Sequence, residues 1–256
     1  MAATATELAR LRAHRQALTE RSTLRAEPFA HGVALFTPAH PTKWDLNLLL
    51  VEDASGTSAE QLIAEAERLQ APAGLRHRKI EIHAGGERLV DAFAAAGWSA
   101  ERLIVMLLRP GRDQRGEAHA QVREVDFAAV RELMEQWYRE AMSAAEARAL
   151  GDADADTART SGARFFVTER DGAPAASCML LPGDRVGQVE EVYTARAFRG
   201  QGLASAVVRA AIAAARERGD ELIMITADAG DWPRRLYERL GFETVDEYRT
   251  FTRRPG

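Results

Sequence analysis

Cysteine is almost absent from this chain. Cys178 is the only one in 256 residues, so an intrachain disulfide framework is excluded and a reducing compartment, the cytoplasm, is expected. Lysine is nearly as scarce: Lys43 and Lys79 stand among 34 basic side chains, and with the many alanines this reads as compositional bias rather than chemistry. No run of about 20 apolar residues occurs, so no membrane-spanning helix is expected. The opening segment ATELARLRAHRQALTERS is charged throughout and lacks the apolar core of a secretory signal. An excess of positive charge is missing too. The formal net charge of −4 argues against a nucleic-acid partner. The negative excess lies beyond residue 117, where 19 basic face 23 acidic side chains, a balance that favours a cationic partner such as an amine. The six histidines (His14, His31, His40, His77, His83 and His119) show no paired ligand spacing, so no metal is implied.

What is present is an ordinary globular composition, 46% hydrophobic and 28% charged, long enough for one or two domains. Arg109-Pro110-Gly111-Arg112-Asp113-Gln114-Arg115-Gly116 combines Pro, Gly and charge without apolar periodicity. It predicts a linker at 111–117 between domains at 1–110 and 118–256.

The second half reads as strand 120–125, a helix capped by Asp126, a helix or loop over 143–160, and strands 164–168, 173–181 and 188–194. A helix over 202–218, strand 221–226, a helix opened by Asp231 and Pro233, and strand 242–253 follow. This order predicts an α/β fold around one mixed sheet. The first half repeats part of it, with strands 46–52, 79–83 and 103–108 and helices 59–69 and 87–96. An offset of 144 places Phe93 on Tyr237, Gly97 on Gly241 and Trp98 on Phe242, which predicts an internal duplication.

The stretch carrying chemistry runs from Val189 to Ala204. A strand enters a tight loop and the loop enters a helix, whose first N–H groups and dipole make a site for a diphosphate. Gly200 and Gly202 let the backbone approach such a group, and a side chain at Gly202 would obstruct it. Neither other common phosphate loop fits: no Gly-Lys-Ser/Thr ending exists, and the third glycine of a dinucleotide fingerprint is replaced by Ser205.

Arg199-x-x-Gly202-x-Ala204 matches the Arg/Gln-x-x-Gly-x-Gly/Ala motif of the GNAT acyltransferases, and Leu236-Tyr237-Glu238-Arg239-Leu240-Gly241-Phe242 resembles a second segment of that family. The resemblance covers most of 118–256 and only faintly 40–110. It implies two GNAT-like mixed-sheet domains, each a central twisted sheet flanked by helices, with a degenerate N-terminal copy. It also implies acetyl-CoA as acyl donor, lying between two splayed strands. The diphosphate would lie on Arg199, Gly200, Gln201, Gly202, Leu203 and Ala204, and the pantetheine arm would pair with backbone groups of Val192, Tyr193 and Thr194. Tyr237 would be the general acid for the thiolate, and a backbone N–H near Val192 would meet the oxyanion. One departure stands out. Family members often carry Asn where this chain has Gly230, with Asp228 or Asp231 as neighbouring substitutes.

An amine attacks a thioester only when unprotonated, so a base is required. Glu190 and Glu191 are the candidates, and strand alternation puts Glu191 with Val189 and Tyr193, and Glu190 with Val192 and Thr194. The first half lacks this chemistry: no glycine motif occupies 52–58, and Phe93 has no hydroxyl. Asp152-x-Asp154-x-Asp156 fails as a calcium loop because Thr157 and Ala163 stand where Gly and Glu are needed; as an acidic loop it would draw an amine. Cys178 reads as a buried structural residue, and Trp137, Tyr138 and Met142 as acceptor-site lining or core. The expected function is direct acetyl transfer to a primary amine of a small molecule or peptide, by a monomer or homodimer. The alternatives are a non-catalytic acyl-CoA sensor, and an interaction protein whose cleft is vestigial.

Overall fold

The computed structural model describes residues 3–111 and 120–255. Most of the expected 111–117 linker lies outside the described residues. The contacts divide the chain into two compact units interleaved in sequence. Unit 1 comprises Met1–Leu18, Val105–Ala227 and Trp232–Val245; unit 2 comprises Thr19–Ile104, Asp228–Asp231 and Asp246–Gly256.

Unit 1 follows the predicted order. Its elements are β6 (Val122–Val125), α4 (Phe127–Tyr138), α5 (Ala144–Ser161), β7 (Arg164–Arg170), β8 (Ala173–Pro182) and β9 (Val186–Thr194), then α6 (Leu203–Glu217), β10 (Leu222–Asp228), α7 (Pro233–Arg239) and the start of β11 (Phe242–Arg253). The order across the sheet is β10-β9-β8-β7-β6, with β5 (Ser99–Leu108) beside β10. The pairs β6/β7, β7/β8 and β8/β9 are antiparallel, while β9/β10 is parallel. Helices cover both faces. On one, Cys178 Sγ donates to the carbonyl of Val207 in α6 at 3.2 Å; on the other, Ser177 Oγ donates to Met134 Sδ in α4 at 3.7 Å. The α4 face seals a core of Val130, Met134, Phe165, Val167 and Met179.

Some local expectations change. Residues 144–161 are helical, opened by a capping box in which Ser143 and Glu146 satisfy each other's backbone N–H groups. The three aspartates therefore sit on a helix and form no loop. Asp152 pairs with Arg131 at 2.6 Å, and buried Asp154 accepts from Tyr138 Oη at 2.6 Å. Asp126 occupies the cap position of α4 without a side-chain capping bond. Asp231 does not cap α7: that place falls to Trp232, which supplies no side-chain capping bond, and Pro233 follows it at the first helical position. The charged N-terminal stretch forms helix α1 (Ala5–Ser22), which buries Leu11, His14 and Leu18.

Unit 2 is built from β1 (Arg25–Phe29), β2 (Gly32–Phe36), β3 (Leu48–Asp53), α2 (Ala59–Gln70), β4 (Arg78–Ala84), α3 (Val90–Ala95), the first part of β5 and the end of β11. Its strand order is β1-β2-β3-β4-β11-β5, with β3 and β4 parallel. Leu62 and Ala66 of α2 and Phe93 of α3 pack on Phe36, Leu49, Val51, Ile80, Ile82 and Phe251. Phe93 stacks on Phe251 at 4.1 Å between ring centroids and meets Trp98 edge-on at 5.3 Å.

Candidate active site

The site in unit 1 begins where β9 and β10 part. Their parallel ladder runs from Val186/Leu222 to Val189/Ile225. Beyond that point β10 gives residues 190–194 no ladder partner, while β8 continues to pair with β9 on the other side as far as Thr194. The backbone of Val192, Tyr193 and Thr194 thus borders a split in the sheet.

A bulge coincides with the split. Met179 pairs with Glu190 but Ser177 pairs with Tyr193, so β9 carries one residue more than β8 across this interval. Glu191 takes it up with φ of 53°, in the left-handed region that a non-glycine residue rarely adopts. The bulge breaks the alternation and corrects the expected faces. Glu190, opposite Met179, and Tyr193, opposite Ser177, both lie on the α4 face, although they are three residues apart. Val189, opposite Leu180, lies on the α6 face. Gln188 shares the face of Glu190 and donates from Nε2 to Glu190 Oε1 at 2.6 Å. Gln188 is 8% exposed, and its Oε1 is buried with no hydrogen-bond partner, as is Thr194 Oγ1.

From Thr194 the chain makes a short 3-10 turn at Arg196–Phe198 and enters α6 through Arg199-Gly200-Gln201-Gly202. Gly200 and Gly202 have φ of 78° and 76°, a conformation that L side chains rarely adopt. Apart from the glycine and its immediate chain neighbours, nothing lies within 4 Å of where a Cβ would stand at either position. The requirement for glycine is thus torsional within the protein, and the turn is not plugged by side chains. Gly202 is the N-cap of α6 and supplies no side-chain acceptor. The side chain of Leu203 is buried in the core, and Ala204 is half-buried, so these residues offer backbone to the space before the helix.

The side chain of Arg199 is held elsewhere. Its Nε donates to the Thr194 carbonyl at 3.0 Å and its Nη2 to Glu140 Oε1 at 3.0 Å. Arg196 Nη2 donates to Glu140 Oε2 at 3.0 Å, and Tyr193 Oη donates to Glu140 Oε1 at 2.8 Å. The Arg196 bond comes first among the influences that hold the Glu140 carboxyl at about 2, against opposition from burial. Burial first, then the ionised Glu140, pushes the Tyr193 phenol up to about 12. Trp137 stacks on Tyr193 at 5.4 Å and 13°, and on Tyr138 at 5.8 Å. Both rings are half-buried and held by their neighbours. Glu140 escaped the sequence reading because its partners lie 53 to 59 residues along the chain, where no local spacing reveals them.

Tyr237 lies on α7, 5% exposed, edge-on to Phe242 at 6.3 Å. In the segment between β10 and α7, Asp228 Oδ1 accepts the Gly230 N–H at 2.7 Å. Cys178 is buried and its thiol is pushed up by desolvation, in keeping with a structural residue. Among the described residues no group of three or more His, Cys, Asp or Glu is placed to hold a metal ion, and no helix is long and apolar enough to cross a membrane.

Comparison with known proteins meets this geometry. Residues 130–242 match the acetyltransferase (GNAT) family. No curated protein matches the chain. Among solved structures, a GCN5-related N-acetyltransferase from Kribbella flavida is similar with a TM-score of 0.68 and 19% identity, over 97% of this chain and 95% of that one. A functionally unknown conserved protein from Staphylococcus epidermidis matches with a TM-score of 0.73 and 11% identity, over 91% and 94%. A tandem GNAT protein from the clavulanic acid biosynthesis pathway matches with a TM-score of 0.53 and 15% identity, over 89% and 76%. At these identities the structural likenesses speak for the fold. Residues 130–242 are therefore similar to the acetyltransferase (GNAT) family, within a fold similar to that of a tandem GNAT protein.

Proposed function

We propose that unit 1 transfers an acetyl group from acetyl-CoA to a primary amine by direct attack in a ternary complex. The observation that carries this reading is a helix start without a side-chain cap at Gly202, next to a strand whose ladder with β10 ends at Val189. Backbone N–H groups over 200–204 suit a diphosphate, and the free edge of Val192, Tyr193 and Thr194 suits an amide-bearing arm laid along it. Arg199 acts here through its backbone, since its guanidinium is engaged by Glu140.

The amine nitrogen attacks the thioester carbonyl carbon, the C–S bond breaks, and the proton lost by nitrogen goes to a carboxylate. Glu190, oriented by Gln188, is the better-supported base; Glu191 takes up the bulge and shapes the strand. A backbone N–H near Val192 stabilises the oxyanion, and the Tyr237 hydroxyl returns a proton to the CoA thiolate. The acceptor is a small-molecule or peptide amine, met in the cytoplasm by a monomer or homodimer. Domains at 1–110 and 118–256, joined at 111–117, complete the proposal, with the first serving as a degenerate copy.

A second reading, a non-catalytic acyl-CoA sensor, draws on the burial of Tyr237. The test is calorimetric titration with acetyl-CoA followed by a thiol-release screen over an amine library. Thiol release with at least one amine supports transfer. Binding without release for any amine leaves the sensor, and absence of binding removes both.

A further inference from the structure

Three groups converge on one carboxylate at the edge of the glycine turn. Glu140 lies just past the end of α4, 21% exposed at its side chain. It receives Tyr193 Oη from the end of β9, Arg196 from the 3-10 turn and Arg199 from the entrance to α6. Arg199 also ties back to the Thr194 carbonyl, and its guanidinium carbon lies 5.7 Å from the Tyr193 ring centroid. The Tyr193 ring is in turn fixed from α4 by stacking on Trp137. One anion thus joins three consecutive parts of the segment from the strand end to the helix start. Without it, two adjacent guanidiniums would repel each other, and Gly200 and Gly202 would leave the turn loose.

We propose that Glu140 is a positioning residue for the acyl-donor site: it touches no reacting atom, but it holds the 193–202 segment in the shape that aims the backbone donors of α6 at a diphosphate. This rests on the acetyl-CoA reading above. A charged carboxylate with three donors is also a pre-organising device, because the ordering of the turn is complete before the ligand arrives. Glu140 further keeps both guanidiniums away from the phosphate position, so the donors left for the ligand are main-chain ones.

The test uses the full chain and its Glu140→Gln, Glu140→Ala and Tyr193→Phe variants, with binding of acetyl-CoA by calorimetry, steady-state kinetics, and amide hydrogen exchange of residues 196–206 without ligand. Glu140→Ala is expected to weaken acetyl-CoA binding roughly tenfold and to raise the acetyl-CoA KM similarly, with kcat within about twofold, because bonds to a charged group are lost outside the reacting centre. Tyr193→Phe, which keeps the stacked ring, is expected to cost about threefold. Exchange over 196–206 should quicken in Glu140→Gln while the strands keep their protection. Unchanged affinity in the folded Glu140 variants would overturn the proposal. So would tighter binding, which would make Glu140 a shield for two latent phosphate ligands. If Glu140→Ala does not fold, Glu140→Gln and Tyr193→Phe decide the matter by the same measures. If the wild type does not bind acetyl-CoA, the functional reading fails by itself, and the exchange experiment still decides whether Glu140 orders the turn.

Discussion

Helices α6 and α2 each begin after a strand of parallel pairing, and they begin differently. Helix α6 in unit 1 starts at Gly202 with no side-chain acceptor for its first N–H groups. Helix α2 in unit 2 starts at Ser58, whose Oγ accepts the Gln61 N–H at 3.3 Å while Gln61 Oε1 accepts the Ser58 N–H at 2.9 Å. The loop before α2 is closed on itself as well. Asp53 Oδ1 accepts the Ser55 N–H at 2.8 Å, and Arg88 donates to the Thr57 carbonyl at 2.6 Å. A helix start that satisfies its own donors has nothing to offer a diphosphate; one that leaves them bare does. The ends of the next helices, by contrast, share three backbone bonds. Ala96 N–H reaches the Ala92 and Phe93 carbonyls and Gly97 that of Ala94; Leu240 N–H reaches the Leu236 and Tyr237 carbonyls and Gly241 that of Glu238. The repeated frame with an unrepeated loop is what separates a scaffold from a site.

Acid should break the comparison most visibly. His77 in unit 2 is buried, its Nε2 on the Asn47 carbonyl at 2.9 Å, and burial pulls it down to about 4 from 6.5. Its folded value lies below its unfolded one, so its contribution is present above 6.5 and is lost as pH falls toward 4, in total about 3 kcal/mol. Glu140 in unit 1 is also depressed, from 4.5 to about 2, so its share is lost only between those values. Denaturant titrations from pH 8 to 3, followed by Trp44 fluorescence, which is stacked on His77 at 5.0 Å, should show stability falling first between 6.5 and 4. His77→Gln should flatten that slope; an equal slope in both proteins would reject the assignment.

Next in size is the hydroxyl that distinguishes the repeated helix ends. Tyr237→Phe is expected to lower kcat about a hundredfold with acetyl-CoA affinity kept, as loss of a general acid does. Phe93 occupies the corresponding place in unit 2, fully buried against Phe251 and Trp98. Phe93→Tyr should leave kcat alone and cost stability, because it buries a hydroxyl among rings. Equal activity of Tyr237→Phe and wild type would favour the sensor. The loop difference gives a smaller effect. Gly202→Val forces a β-branched residue to φ of 76° and should weaken acetyl-CoA binding about tenfold. Gly56→Val in unit 2, where a Cβ meets no protein atom within 4 Å, should leave binding unchanged. Similar losses in both variants would deny the turn its special place.

Much of this was legible from residues alone. Strand β11 has its predicted bounds, Phe242–Arg253, and the order of elements from β6 to β11 is the predicted one, because apolar periodicity and glycine stops are local signals. The glycine turn was legible for the same reason. Other features depend on distant partners. The bulge at Glu191 exists only in relation to β8, so alternation along β9 misassigned its faces. The Glu140 cluster joins residues more than fifty positions apart. Helix α1 buries three residues in eighteen and carries charge all round, so no apolar stripe announced it. Strand β1 contains Pro28 and buries no residue fully, which hid it among loop signals.

The smallest predicted effect is the sharpest control. Ser58→Ala removes the acceptor of the α2 capping box while leaving the strand–loop–helix backbone in place. Loss of such a cap costs about 1 kcal/mol of stability, and it also bares the Gln61 N–H in the first turn of α2, bringing that helix start chemically closer to α6. If bare donors after a parallel strand were enough for a diphosphate, the variant should acquire a second acetyl-CoA stoichiometry. The expectation is that it does not. The Asp53 carboxylate at the loop would repel phosphate, and the two left-handed glycines that expose the α6 donors have no counterparts in 52–58. Calorimetry on the variant therefore separates two requirements that coincide in α6, unsatisfied donors and a turn that presents them. A stoichiometry of one with reduced stability means that presentation is the limiting feature; a stoichiometry of two would mean that the cap alone silenced unit 2.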